Sequence, residues 1–196
     1  MAFDATKFRS HLEYGGARPN LFEVKLSFPA EGQTSGADTE FTFMCRAASL
    51  PAMLVGTANL QYFGRTVKFA GDRQFEDWSV QVINDEDFLV RNAFEAWQNR
   101  MALIDHGTNQ IETMCAPNMA AYYVDITVTQ LGKDGGLCST ISPDGLKTYT
   151  LKNAWPTMIG PIELAWDAND QIEQFSVNFA YDYFITNKIS GTTVQI

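Results

Sequence analysis

The sequence predicts a mainly β fold, a β-sandwich or partial barrel with one main α-helix packed on it. Several stretches alternate apolar and polar residues with a period of two, the mark of strands with one face in a core. A single stretch repeats its apolar residues at helical spacing, and clusters of Gly, Ser, Asn and Asp punctuate the rest. With 196 residues, 45% of them apolar and 13% aromatic, the chain can bury a proper core, and it is read as one domain over 1–196.

Residues 20–28 form the first strand, with Phe22, Val24, Leu26 and Phe28 on one side and Glu23, Lys25 and Ser27 on the other. Residues 29–39 are rich in Gly, Ser and Asp and read as a loop. A second alternating strand is predicted around 40–46, paired with the first as a hairpin with a long tip. Residues 47–67 hold a proline, two glycines and patchy apolar content, and read as an extended excursion rather than core. Trp78, Val80 and Val82 alternate with Ser79 and Gln81 in a further strand.

The helix is predicted over 85–101. Leu89, Ala93 and Trp97 recur every four residues, with Val90, Phe94 and Met101 on the adjoining stripe. Asn84 or Asp85 is the natural N-cap, and Glu86 and Asp87 fall where a helix dipole favours negative charge. Residues 120–131 alternate again, 132–136 are a turn cluster, and a strand near 147–153 is predicted to end at Trp155-Pro156. Residues 163–167 and 172–184 complete about seven strands. In the last of them Phe175, Val177, Phe179, Tyr181 and Tyr183 share a face.

Chemistry finds little purchase. His11 and His106 lack the spacing of zinc ligands, and there is no nucleophile elbow, P-loop or dinucleotide-binding glycine pattern. Asp167, Asn169 and Asp170 lack the glycine and closing glutamate of a calcium loop and read as a turn. Asp72 beside Arg73 reads as a turn ion pair, and Glu76 and Asp77 point to opposite faces of any strand, so no paired carboxylates of a hydrolase emerge. The expectation is a protein with no catalytic residues, no metal and no cofactor.

A net charge of -9 and a pI near 4.6 exclude the basic face that a phosphate-neutralising nucleic-acid reader needs. The odd count of widely spaced cysteines, Cys45, Cys115 and Cys138, fits free thiols in a reducing compartment. No window reaches the ~18–20 apolar residues of a membrane span. The expectation is a soluble chain made in a cytosol.

Four segments, taken in order, resemble one family. They are Ala17-Arg18-Pro19-Asn20-Leu21-Phe22, then Ala70-Gly71-Asp72-Arg73 leading into Phe75-Glu76-Asp77-Trp78, then Asn84-Asp85-Glu86. The closing segment runs from Trp155-Pro156 through Gly160, Leu164-Ala165-Trp166-Asp167, Asn169, Ile172 and Phe175-Ser176-Val177 to Ala180-Tyr181-Asp182-Tyr183. Their order and spacing are similar to the major tail tube proteins of contractile-tailed bacteriophages, from about Phe3 to Tyr183. Residues 29–39, 102–121 and 184–196 look like loop or terminal additions to that pattern.

The resemblance implies a structural virion protein, assembled in the host cytoplasm, whose hexameric rings share sheets between subunits and stack into a hollow inner tube. The implied partners are other copies of itself and the tail sheath, baseplate hub, tail terminator and tape-measure proteins. DNA would pass through the lumen without specific binding, and an acidic wall suits that task because it repels phosphate. Leu50, Met53, Leu54, Val55, Leu60, Tyr62 and Phe63, apolar but without a steady period, are expected to contact a subunit in the next ring. An inner tube of a type VI secretion system or another contractile injection system would share the architecture. A monomeric β-barrel ligand-binding module, suggested by Trp78, Tyr122, Tyr123, Trp155 and Trp166, is the alternative from another class.

Overall fold

The computed structural model describes residues 5–12, 16–29, 36–101, 122–133, 146–188 and 192–194. In chain order the elements are α1 (Ala5–His11), β1 (Phe22–Lys25), α2 (Ala37–Met44), β2 (Cys45–Ala48), β3 (Met53–Tyr62), β4 (Arg65–Phe75) and β5 (Trp78–Ile83). They continue with α3 (Leu89–Met101), β6 (Val124–Gln130), β7 (Lys147–Ile159), β8 (Gln174–Ala180), β9 (Tyr183–Lys188) and β10 (Thr192–Val194). Cys115, Cys138 and His106 lie outside the described residues, as does the whole of 102–121.

All the strands except β3 and β4 form one bent antiparallel sheet, and its hinge is β7. The first half of β7, Lys147 to Lys152, lies between β6 and β9, while Trp155 to Ile159 pair with β8. One arm of the sheet therefore runs β1-β6-β7-β9-β10 and the other β7-β8-β5-β2. At the corner Asn153 takes a left-handed φ of 56°, and its side-chain amide donates to the Asp182 carboxylate at 2.6 Å. The Asp182 amide donates to the Lys152 carbonyl at 3.1 Å, which carries the ladder across the bend. Both strands reverse their inward side there. Phe179 is buried before the corner and Phe184 after it, so one continuous ribbon feeds two layers.

The core lies between those layers and the helices. Val24, Ile126, Val128 and Leu151 come from one arm and Trp78, Val80, Val82, Phe175, Val177 and Phe179 from the other. From α3 come Val90, Ala93, Phe94 and Trp97, the stripe expected from its four-residue repeat. Phe94 sits at the centre, its ring 4.9 Å from Phe28, 5.6 Å from Phe41, 5.9 Å from Phe179 and 6.4 Å from Phe175. Buried indole nitrogens are satisfied: Trp78 Nε1 donates to the Ser49 carbonyl and Trp97 Nε1 to that of Tyr122.

Several expected elements differ. The strand predicted around 40–46 is mostly the helix α2, and the hairpin predicted with β1 does not exist: β1 pairs with β6, and β2 with β5. Ala37 and Phe41, four apart, are the buried pair, while Phe43, two residues beyond Phe41, is exposed. A short run with aromatics two apart fits both periods, and the Phe94 and Phe28 rings decide for the helix.

Pro156 does not end its strand. β6 leaves β7 at Ala154, so β7 is an edge beyond it, and sheet edges tolerate proline. Residues 163–167 form no strand. Leu164 and Trp166 lie on an exposed connection with turns, so their alternation has no core to face. The long strand predicted over 172–184 is broken at the Asp182 corner into β8 and β9, leaving Tyr181 half-buried and Tyr183 exposed. In the terminal stretch, Phe184 to Lys188 complete β9 and Thr192–Val194 form β10.

The helix start is also revised. Asn84 turns away from α3, donating from its side chain to Glu173 Oε2 at 3.0 Å. Phe88, with φ 55°, accepts the first helical bond from the Asn92 amide, and the Asp87 carboxylate takes the Leu89 amide at 3.0 Å. Asp85 accepts from the Glu86 amide and not from the first turn. A carboxylate does meet the free amides of the helix, but it is that of Asp87, two or three positions later than the expected cap.

Candidate assembly surface

The excursion read over 47–67 is part of a long β-ribbon. β3 and β4 pair with each other from Met53–Phe75 to Tyr62–Arg65, with no further partner strand among the described residues. Phe63 (φ 45°) and Gly64 (φ 75°) close the tip in two residues of positive φ, the turn that matches strand twist. The ribbon is irregular at its middle, where the register shifts between Val55 and Thr57. Gly56 and Gly71 face each other there, and a Cβ on Gly71 would stand 3.1 Å from the Gly56 carbonyl.

That bulge explains the missing period. On the tip side, Ala58 opposes Phe69, Leu60 opposes Val67 and Tyr62 opposes Arg65 on one face, while Asn59, Gln61, Thr66 and Lys68 occupy the other. On the base side the apolar pair Met53–Phe75 lies on the reverse face, and Phe75 packs its ring 5.5 Å from Phe184. The apolar side of the arm thus switches at the bulge: the base grips the core and the tip half turns its apolar face outward. Leu60 is 57% exposed, Tyr62 63%, Phe69 54% and Phe63 91%. All seven residues expected at an assembly contact (Leu50, Met53, Leu54, Val55, Leu60, Tyr62 and Phe63) are exposed on or beside this arm. Val67 and Phe69 are exposed on the same face as Leu60, as the cross-strand register shows.

Other candidate chemistry resolves into structure. Asp72 and Arg73 lie inside β4 and not at a turn. Asp167 and Asp170 sit in successive turns, as expected, with Asp170 at φ 59°. His11 is on the exposed α1. Cys45 is buried, and burial pushes its thiol up to about 12. The aromatics of the ligand-module reading do not converge, since Trp78 is in the core and Trp166 is fully exposed.

The opening acids of α3 do gather with α2. One carboxylate oxygen each from Glu40, Asp85 and Asp87 lie within 4.8 Å of one another, although exposed acids commonly cluster without a metal. Burial, and then the charges of Asp87 and Asp85, raise Glu40 above its ordinary value, and its Oε1 has no hydrogen-bond partner. A raised folded-state pKa means ionisation opposes folding. That cost is absent below the ordinary glutamate range and complete above the raised value. Glu40→Gln should therefore melt above the parent at neutral pH, with the difference vanishing as pH falls through the ordinary carboxylate range. A constant difference across that window would rule out the electrostatic cause.

The family model for phage tail tube proteins matches residues 17–187, most of the chain and nearly every element described above. The chain belongs to the phage tail tube protein family. The tail tube protein gp19 of Enterobacteria phage T4 is 34% identical over 168 residues, covering 86% of this chain and 90% of that one. Among solved structures, the tube-terminating cap of the anti-feeding prophage shares the fold with a TM-score of 0.58 at 18% identity, covering 88% and 91% of the two chains. The sheath–tube complex of an extracellular contractile injection system, in its extended state, gives 0.57 at 17% identity over 96% and 100%. This tail tube protein is thus a structural component of a phage tail, with the mainly β, single-main-helix fold that its sequence predicts.

Proposed function

We propose that this chain forms hexameric rings that stack into the hollow inner tube of a contractile tail, within a sheath and between a baseplate and a terminator, as the conduit for DNA. The observation that carries this reading is the β3–β4 arm. It is ordered by its own ladder yet presents Leu60, Tyr62, Val67 and Phe69 to solvent, a contiguous apolar face that an isolated subunit leaves uncovered. A copy of the same chain in the next ring is its occupant, contacted by Leu50, Leu54, Leu60, Tyr62 and Phe63, with Met53 and Val55 at the arm's base.

Strand edges support the same reading. Among the described residues β1 pairs only with β6, and β2 only with β5, so both outer edges are open to sheet sharing around a ring. No described helix is long and apolar enough to cross a membrane. The role is structural, without catalysis or cofactor, and assembly takes place in the host cytoplasm. The net charge of -9 lets DNA slide past without being held.

Negative-stain microscopy and sedimentation of the purified chain test this. Rings with six-fold symmetry, lengthening into tubes as concentration rises, are expected. A monomer that persists at high concentration, even with a baseplate template, would refute the proposal.

A further inference from the structure

The β3–β4 arm needs a receiving surface, and the chain carries one candidate of matching chemistry. Residues 160–173, the connection from β7 to β8, expose Leu164 at 81%, Trp166 at 105% and Ile172 at 68% along one shallow groove. The base of this connection is held rigid. The Gly160 amide donates to the Ser176 carbonyl at 2.6 Å, Arg91 Nη1 donates to the Gly160 carbonyl, and Asn84 donates to Glu173 from both backbone and side chain. A fully exposed tryptophan on an anchored connection is the kind of side chain that becomes a buried anchor in an interface.

Charge identifies the occupant. The connection holds Glu163, Asp167, Asp170 and Glu173 and no basic residue. The arm, in a chain of net charge -9, reverses that balance with Arg65, Lys68 and Arg73 against Asp72 alone. None of those three bases, nor Glu163, Asp167 or Asp170, has an ion-pair partner among the described residues. Two arms facing each other would oppose three bases to three, and two connections would oppose four acids to four. Only arm against connection is complementary in both charge and apolar surface.

We propose that the β3–β4 arm of one copy docks on the 160–173 connection of an adjacent copy. Leu60, Tyr62, Val67 and Phe69 cover Leu164, Trp166 and Ile172, and Arg65, on the same face of the arm, meets Glu163 and Asp167. Where each arm reaches a further copy, rather than returning to the copy that docks on it, the contact runs head to tail and repetition builds rings or stacks. The inference rests on the tail tube reading and names the surface that receives the arm.

Two chains, each with Cys115→Ser and Cys138→Ser, test it, one carrying Leu60→Cys and the other Trp166→Cys. Cys45 remains as a buried, unreactive thiol. Equal amounts are assembled and treated with a short bifunctional maleimide. The expected result is a cross-linked dimer from the mixture and none from either chain alone. In parallel, Arg65→Glu should raise the concentration needed for tubes severalfold, and Glu163→Lys with Asp167→Lys in the same chain should recover most of that loss. Tubes that form without the cross-link and without charge rescue overturn this pairing and leave the tail tube reading standing. If the unaltered chain forms neither rings nor tubes, that reading fails and the pairing fails with it.

Discussion

Leu60→Asp combined with Phe69→Asp should abolish tube formation while leaving the β-rich circular dichroism spectrum and the melting temperature of the subunit close to the parent. Both residues are more than half exposed and lie diagonally across the apolar tip face, so the isolated fold loses little when they become polar. In an assembled arm the balance differs. Each large apolar side chain covered by a neighbour contributes roughly 1.5–3 kcal/mol, and a buried unpaired carboxylate adds a penalty of its own. At about 1.4 kcal/mol per tenfold, the loss exceeds a hundredfold in the concentration needed to polymerise. Leu54→Asp with Val55→Asp should act in the same direction from the other side of the bulge. Sedimentation and microscopy of the variants decide, and normal tubes would show that the arm is no contact.

Phe94→Ala should give the largest loss of subunit stability. Its ring meets Phe28 just after β1, Phe41 of α2, and Phe175 and Phe179 of β8, so no single neighbour can move in to fill the space. Truncating a buried phenylalanine costs roughly 3–5 kcal/mol. For a domain of this size each kcal/mol is worth about 2–4 °C in melting temperature, so a fall on the order of 10 °C is expected. The measurement belongs in the Leu60→Asp/Phe69→Asp background, because assembly stabilises the folded subunit by mass action and would mask the loss. A fall of one or two degrees would show that the core can repack around this position.

Legibility followed the length and regularity of each pattern. The α3 stripe of Ala93, Phe94 and Trp97 and the strands around Val24, Val80, Val128 and Val177 were readable because burial is one-sided and the period holds over enough residues. The arm was not. Its apolar set changes face at the Gly56–Gly71 bulge, so a reader counting alternation meets two half-patterns that cancel. What remained visible was an unusual density of apolar residues outside any core. That density was enough to mark Leu54, Leu60 and Phe63 as contact candidates but not to include Val67 and Phe69.

The sequence by itself determined the family, the mainly β class, the main helix and the acidic character, since each depends on residue identity and local order along the chain. Tertiary structure alone decided three further matters. Ala37 to Met44 is a helix because Phe94 and Phe28 offer Phe41 a pocket that only helical spacing from Ala37 can fill. β7 passes through Pro156 because β6 has already departed and left an edge there. The corner at Asn153 and Asp182 turns one sheet into two layers, because a left-handed residue and a cross-strand amide–carboxylate bond reverse the inward side of both strands together. Each of these is settled by a neighbour distant in sequence, and local periodicity carries no record of such a neighbour.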